Sequence, residues 1–185
     1  ISPEGFSYHL QKELPDDILC LSSSEVPLGF HARFACESKT YRYVVSLKKP
    51  MMPTERLYKA PCSYDLNLEL MGEALKLFEG EHDFRYFAKY NPLRQPVRRI
   101  DSFTMEKKGE DLIFRIKAES FLHNQIRLMI GALIEVGRGQ FNLDDIKIQL
   151  EGKEQRKRQV TYPACGLTLE KLELNEQSNR FVKSM

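Results

Sequence analysis

Arginines interleaved with aromatic rings are the side chains of this sequence best suited to chemistry on a polyanion. Arg33, Lys39 and Arg42 alternate with Phe30, Phe34, Tyr41 and Tyr43, and Arg94, Arg98 and Arg99 cluster around Pro92 and Pro96. Lys153, Arg156, Lys157 and Arg158 form a third group. Cations placed among flat rings can neutralise phosphates while the rings stack on bases. The same residues also suit a solvated loop or an exposed strand face, and spacing alone leaves both readings open. Arg127 differs by its position, in the first half of the most apolar segment, beside Ile126 and near Met129 and Ile130. A guanidinium there either snorkels outward to water or pairs with a carboxylate.

Other chemistries lack their residues. His9, His31, His82 and His123 show no HExxH or H-x3-H spacing, and Cys20, Cys36, Cys62 and Cys165 contain no CxxC pair, so no metal site is expected. His82 follows a helix and reads as a turn histidine bonded to backbone. No GxGxxG, GxxxxGK[ST] or G-x-S-x-G segment occurs, which disfavours a nucleotide-phosphate loop and a serine-hydrolase elbow. With 185 residues and 42% hydrophobic side chains, the chain can build its own core without disulfides. A reducing compartment is therefore expected: the cytoplasm, with the mitochondrion as alternative. The net charge of +2 means that any basic surface must come from local clusters. No apolar run is long enough to cross a membrane. The sequence begins with Ile1 rather than Met, and a segment is expected to precede it.

These residues need elements to hold them. Leu14 to Leu19 reads as a helix end, a turn and a strand start, and a boundary is expected near Gly29. Lys39 to Leu47 alternates, with Tyr41, Tyr43, Val45 and Leu47 on one strand face and Thr40, Arg42, Val44 and Ser46 on the other. Asp65 is expected to cap a helix reaching Phe78 through Leu66, Leu70, Met71, Ala74 and Leu75. Ile100–Glu106 and Leu112–Ala118 flank Lys107-Lys108-Gly109-Glu110 and predict a hairpin. The longest helix is predicted from Phe121 to Val136, then a short one capped by Asn142, and a last strand from Gly166 to Leu174. The order implies an α+β domain with helices on one face of a mainly antiparallel sheet, leaving the other face for a ligand.

Four ordered blocks resemble one family. They are Phe30-His31-Ala32-Arg33-Phe34 with Lys39-Thr40-Tyr41-Arg42-Tyr43; Gly80-Glu81-His82-Asp83-Phe84 with Phe87; Ser120 through Arg127, running on into Met129-Ile130-Gly131 and Glu135-Val136-Gly137-Arg138-Gly139; and Ala164-Cys165-Gly166-Leu167-Thr168-Leu169. In order and spacing, over about residues 14 to 174, they are similar to the later two-thirds of TruA-type tRNA pseudouridine synthases. The resemblance implies a pseudouridine synthase-like fold with an RRM-like half, isomerisation of uridine in the tRNA anticodon stem-loop, no metal or organic cofactor, and a homodimer. It implies a domain at 30–174, preceded at 1–29 by a remnant of the catalytic domain and connector, and followed at 175–185 by a disordered tail.

The resemblance also implies roles. Tyr41 matches the tyrosine that stacks on the flipped base and helps remove its C5 proton, and Arg127 the basic residue that pairs with the nucleophilic aspartate, which selects the carboxylate-paired reading. Leu167 matches an aliphatic wall of the uracil pocket, while Arg33, Arg42, Arg98 and Arg99 become candidates for phosphate contacts. His31, His82 and His123 are assigned structural roles. The family's Arg-Thr-Asp-type nucleophile motif is absent: none of Asp16, Asp17, Asp65, Asp83, Asp101, Asp111, Asp144 and Asp145 follows Arg-Thr. The nucleophile is accordingly expected upstream of Ile1, with this chain alone inactive. The alternative is a catalytically inactive relative kept for RNA binding or assembly.

Overall fold

The computed structural model describes residues 2–89, 91–92 and 95–175. The chain divides into two compact units, Ile1–Glu37 with Glu173–Met185, and Ser38–Leu172. In the smaller unit, α1 (Pro3–Glu13) starts at Ser2, whose hydroxyl accepts from Gly5 N at 3.2 Å. The Gln11 side chain holds the following turn, donating to the Ile18 carbonyl at 3.0 Å and accepting from Cys20 N at 2.8 Å. The strand expected to start near Ile18 does not form: residues 18–27 carry no ladder, and Ile18, Leu19 and Leu21 are exposed. With Gln11 taking the Ile18 and Cys20 backbone groups, a strand there has lost its pairing groups to a side chain.

The larger unit is built on β1 (Cys36–Ser46). It continues through β2 (Ala60–Pro61), α2 (Leu68–Lys76), β3 (Gly80–Asp83), β4 (Val97–Ile100), β5 (Ser102–Lys108), β6 (Asp111–Ala118), α3 (Gln125–Gly137), α4 (Leu143–Leu150) and β7 (Leu167–Leu174). The main sheet runs β2-β1-β6-β5, with β7 also paired to β1, and β3-β4 form a separate ribbon. Antiparallel pairs dominate, so the α+β class expected from the sequence is the one found. The hairpin turns through Gly109 at φ 60°, with Lys108 opposite Asp111. On β6 every second residue is buried, and Phe114 and Ile116 lie opposite Tyr43 and Tyr41 of β1. This face, with Phe103 of β5, packs into the core with Met71 of α2, Phe78 in the turn after it, and Met129, Ile130 and Leu133 of α3.

Two helix starts and one ribbon differ from the sequence reading. Asn67, not Asp65, caps α2: its side chain accepts from Leu70 N at 3.0 Å, while Asp65 stays in solvent 3.4 Å from Lys49 Nζ. Helix α3 starts at Gln125, not Phe121, because Asn124 adopts a left-handed φ of 61° that no right-handed helix can contain. The β3-β4 ribbon was not legible, since Gly-Glu-His-Asp offers no apolar alternation; its cross-strand pairs are Glu81 with Arg99 and His82 with Arg98. His82 lies in strand β3 and not in the turn expected for it, though its ring does meet backbone as expected, with Nε2 2.8 Å from the Glu79 carbonyl. Asn142 caps α4 reciprocally with Asp145, also as expected.

Candidate active site

Arg127 is fixed from two directions. Its Nε donates to the Tyr162 carbonyl at 2.7 Å and its Nη1 to Asn124 Oδ1 at 3.2 Å. The Tyr162 N–H donates back to the Arg127 carbonyl at 3.2 Å. The segment around Tyr162 is thus stitched across α3, and the crossing is close. A Cβ on Gly131, one helical turn past Arg127, would lie 1.8 Å from the Val160 carbonyl oxygen. Glycine is required there because two backbones touch. Arg127 therefore neither snorkels outward nor pairs with a carboxylate of this chain; a carbonyl and an amide hold it half-buried, and the ion pairs among the described residues do not include it.

The same segment is tied to the sheet. The Tyr43 hydroxyl donates to the Pro163 carbonyl, and the Tyr162 hydroxyl donates to the Pro61 carbonyl at 3.3 Å. Burial raises the pKa of both phenols well above the ordinary tyrosine value; the neighbouring Cys165 adds to it at Tyr43 and a hydrogen bond with Cys62 adds at Tyr162. Gly166 lets β7 start against β1: a Cβ there would come within 2.7 Å of the Tyr43 ring and the Val44 carbonyl oxygen. Leu167 follows directly.

Tyr41 stands two residues before Tyr43 on the same strand face, where the helix-covered side runs out at the start of α3. Its ring meets Phe121 edge-on, with centroids 5.4 Å apart and planes at 89°. Tyr41, Arg127 and Leu167, chosen from the sequence, together line one cavity of about 200 Å³ with Phe121, Leu122, Asn124, Gln125 and Ile126. The cavity lies on the helix-covered side of β1, whereas the element order leaves the uncovered sheet face for a ligand. It is small beside pockets that take drug-sized ligands, and suits a single planar ring held between an aromatic and an aliphatic wall. Among the described residues no carboxylate lines it.

The other candidate residues lie elsewhere. Arg42 points to the opposite face of β1 from Tyr41, and its Nε is buried without a partner. Arg98 and Arg99, on β4, line a separate cavity of about 410 Å³ with Glu81, Asp101, Glu119 and Ser120. Arg33 is exposed and belongs to the smaller unit. Arg94 lies outside the described residues. The Lys153–Arg158 group is exposed, with Lys153 and Arg156 beside Glu151 and Glu154. His31 and His123 are exposed; the His123 carbonyl accepts from Lys89 N at 2.8 Å. The sequence reading missed Asn124, Gln125, Gly131 and Tyr162 as parts of the site. An adjacent Asn-Gln pair opening the most apolar helix was the one available signal. No group of His, Cys, Asp and Glu among the described residues could hold a metal ion, and no described helix is long and apolar enough to cross a membrane.

Residues 74–174 match the family model described as tRNA pseudouridine synthase. The chain is 37% identical over 176 residues to tRNA pseudouridine synthase A of Finegoldia magna, a match covering 94% of this chain and 71% of the relative. It is 38% identical over 167 residues to the protein of the same name from an Exiguobacterium species, covering 90% and 67%, and 35% identical over 173 residues to that of a Thermoanaerobacter species, covering 93% and 71%.

Proposed function

This chain belongs to the tRNA pseudouridine synthase family, and we propose that it supplies the base-binding half of an active site that isomerises uridine to pseudouridine in tRNA. The observation that carries this reading is the shared cavity of Tyr41, Arg127 and Leu167. The target nucleotide leaves its stack, at a cost of a few kcal/mol, and enters with its base against the Tyr41 ring and Leu167. An aspartate attacks the nucleotide as the C1′–N1 bond breaks, the detached base turns, and the C1′–C5 bond forms as the bond to the aspartate is broken and its carboxylate is released. The C5 proton is then lost with help from Tyr41, and N1 gains one, so the reaction is a net isomerisation. Arg127 keeps the aspartate ionised and oriented, using N–H donors not committed to Tyr162 and Asn124.

We place that aspartate in a segment of the enzyme preceding this sequence. Two facts support this: among the described residues no carboxylate lines the cavity, and the matched region spans 67–71% of these relatives. The exposure of Leu19, Leu21 and Leu28 supports reading 1–29 as the remnant of a domain that is completed elsewhere. Arg33, Arg42, Arg98 and Arg99 serve as phosphate contacts on a substrate far larger than the cavity, and the anticodon stem-loop is the region acted on. The intact enzyme is a homodimer and works without metal or organic cofactor.

The test is to incubate the intact enzyme with unmodified tRNA and map pseudouridine by nucleotide position. Product in the anticodon stem-loop is expected. Product confined to another arm would discard that assignment, and tRNA binding with no product in any tRNA would favour an inactive RNA-binding module.

A further inference from the structure

Gln125 is 1% exposed, yet it lines the same cavity as Tyr41, Arg127 and Leu167. Its carboxamide is fixed at one end: Oε1 accepts from Leu122 N at 2.8 Å, while the Gln125 N–H closes the same turn on the Leu122 carbonyl at 3.1 Å. This settles which end of the amide is which, because the Leu122 N–H requires an acceptor and the amino group cannot serve. The other end, Nε2, is buried and has no hydrogen-bond partner. A buried amide donor left unpaired is costly, and such a group calls for an explanation. The described residues do not supply one: the turn that starts α3 uses only the amide oxygen, and Asn124 Oδ1, an acceptor on the neighbouring residue, is already engaged by Arg127.

We propose that Gln125 reads the base, its Nε2 donating to a ring carbonyl of the uracil once the nucleotide enters the cavity. The inference rests on the pseudouridine synthase reading above and adds a specificity residue to it. Uracil offers a carbonyl at both C2 and C4, whereas cytosine carries an amino donor at C4. A fixed N–H donor facing C4 therefore favours uracil and leaves two donors opposed when cytosine enters. Facing C2, it orients the ring without that discrimination. The Leu122 hydrogen bond keeps the amide from rotating to offer its oxygen, so the preference is built into the turn that starts α3.

The experiment compares two variants of the intact enzyme, Gln125→Met and Gln125→Glu, on tRNA carrying uridine, 2-thiouridine or 4-thiouridine at the target position. Gln125→Glu keeps an acceptor for Leu122 N–H while removing the donor, so a folding defect from losing that bond is separated from the loss of base contact. Circular dichroism confirms that each variant folds. Both variants should lose about tenfold to a hundredfold in kcat/KM on uridine. Wild type should lose a similar factor on one of the two thio-substrates, whose sulfur accepts poorly. The variants should lose nothing further on that substrate, since the contact is already gone. Additive losses, or variants that match wild type on uridine, would overturn the proposal and leave Nε2 to a bound water. If wild type forms no pseudouridine on any uridine substrate, the underlying functional reading fails instead.

Discussion

At the residue scale, Arg127 shows how a side chain in an apolar helix is held without a charge partner. A carbonyl at 2.7 Å and an amide oxygen at 3.2 Å orient the guanidinium and leave its positive charge uncompensated within the described residues. That is the state needed to receive a carboxylate from outside the chain. In the intact enzyme, Arg127→Met should lower kcat on the order of a thousandfold, the scale seen when a preorganised charged donor is removed from an active site, with tRNA affinity largely kept. Wild-type turnover in that variant would refute the role. Tyr41→Leu should abolish turnover and also keep binding; loss of binding instead would make Tyr41 an RNA contact only. Single-turnover kinetics with a parallel binding curve separates these outcomes.

At the element scale, the site depends on one close crossing. Gly131→Ala drives a Cβ to 1.8 Å from the Val160 carbonyl oxygen, so the irregular segment at Val160 and the helix must part. We expect it to cost at least about 3 kcal/mol in urea unfolding, beyond the usual cost of overpacking, because the neighbour is backbone and cannot rotate away. Gly72→Ala is the control: it lies in α2 with nothing within 4 Å of the new Cβ, and should stabilise by about 0.5–1 kcal/mol. Equal effects at the two sites would contradict the crossing. Tyr43 and Tyr162 tie the same segment to the sheet through neutral hydroxyls. Their folded pKa values lie above the ordinary value of about 10, so their stabilisation is complete below that pH and is lost as pH rises past it. Alkaline titration should therefore show a late phenolate band that appears together with loss of circular dichroism. A phenolate band complete before unfolding would contradict their burial.

The elements also show what a sequence can and cannot reveal. Strand β6 and the hairpin turn were legible because alternation and a Gly-containing turn are local signals. The start of α3 was not, because apolar periodicity runs through Phe121 and Leu122 and only Asn124's left-handed backbone breaks it. Tyr41, Arg127 and Leu167 were found through resemblance to a family, and their meeting in one cavity is a tertiary fact. Gln125 and Gly131 were invisible as site residues because their roles arise from contacts with Leu122 and Val160 that no spacing encodes.

At the scale of the whole molecule, 28 cations face 26 anions, so affinity for a polyanion must come from how charge is placed. Arg98 and Arg99 lie on a ribbon away from the Tyr41 cavity, a placement suited to a substrate reaching well beyond one base. Arg98→Ala combined with Arg99→Ala should weaken tRNA binding and flatten its dependence on salt, since fewer counterions are released. An unchanged salt slope would remove these residues from the interface.

We propose that this chain holds the uracil pocket and the guanidinium but not the nucleophile. Pseudouridine formation on unmodified tRNA, measured at enzyme excess for the 185-residue chain and the intact enzyme in parallel, tests it most directly. Product is expected from the intact enzyme and none from the chain, which should still bind the RNA. Product from the chain alone would mean that one of its own aspartates attacks, and would contradict the placement of the catalytic centre.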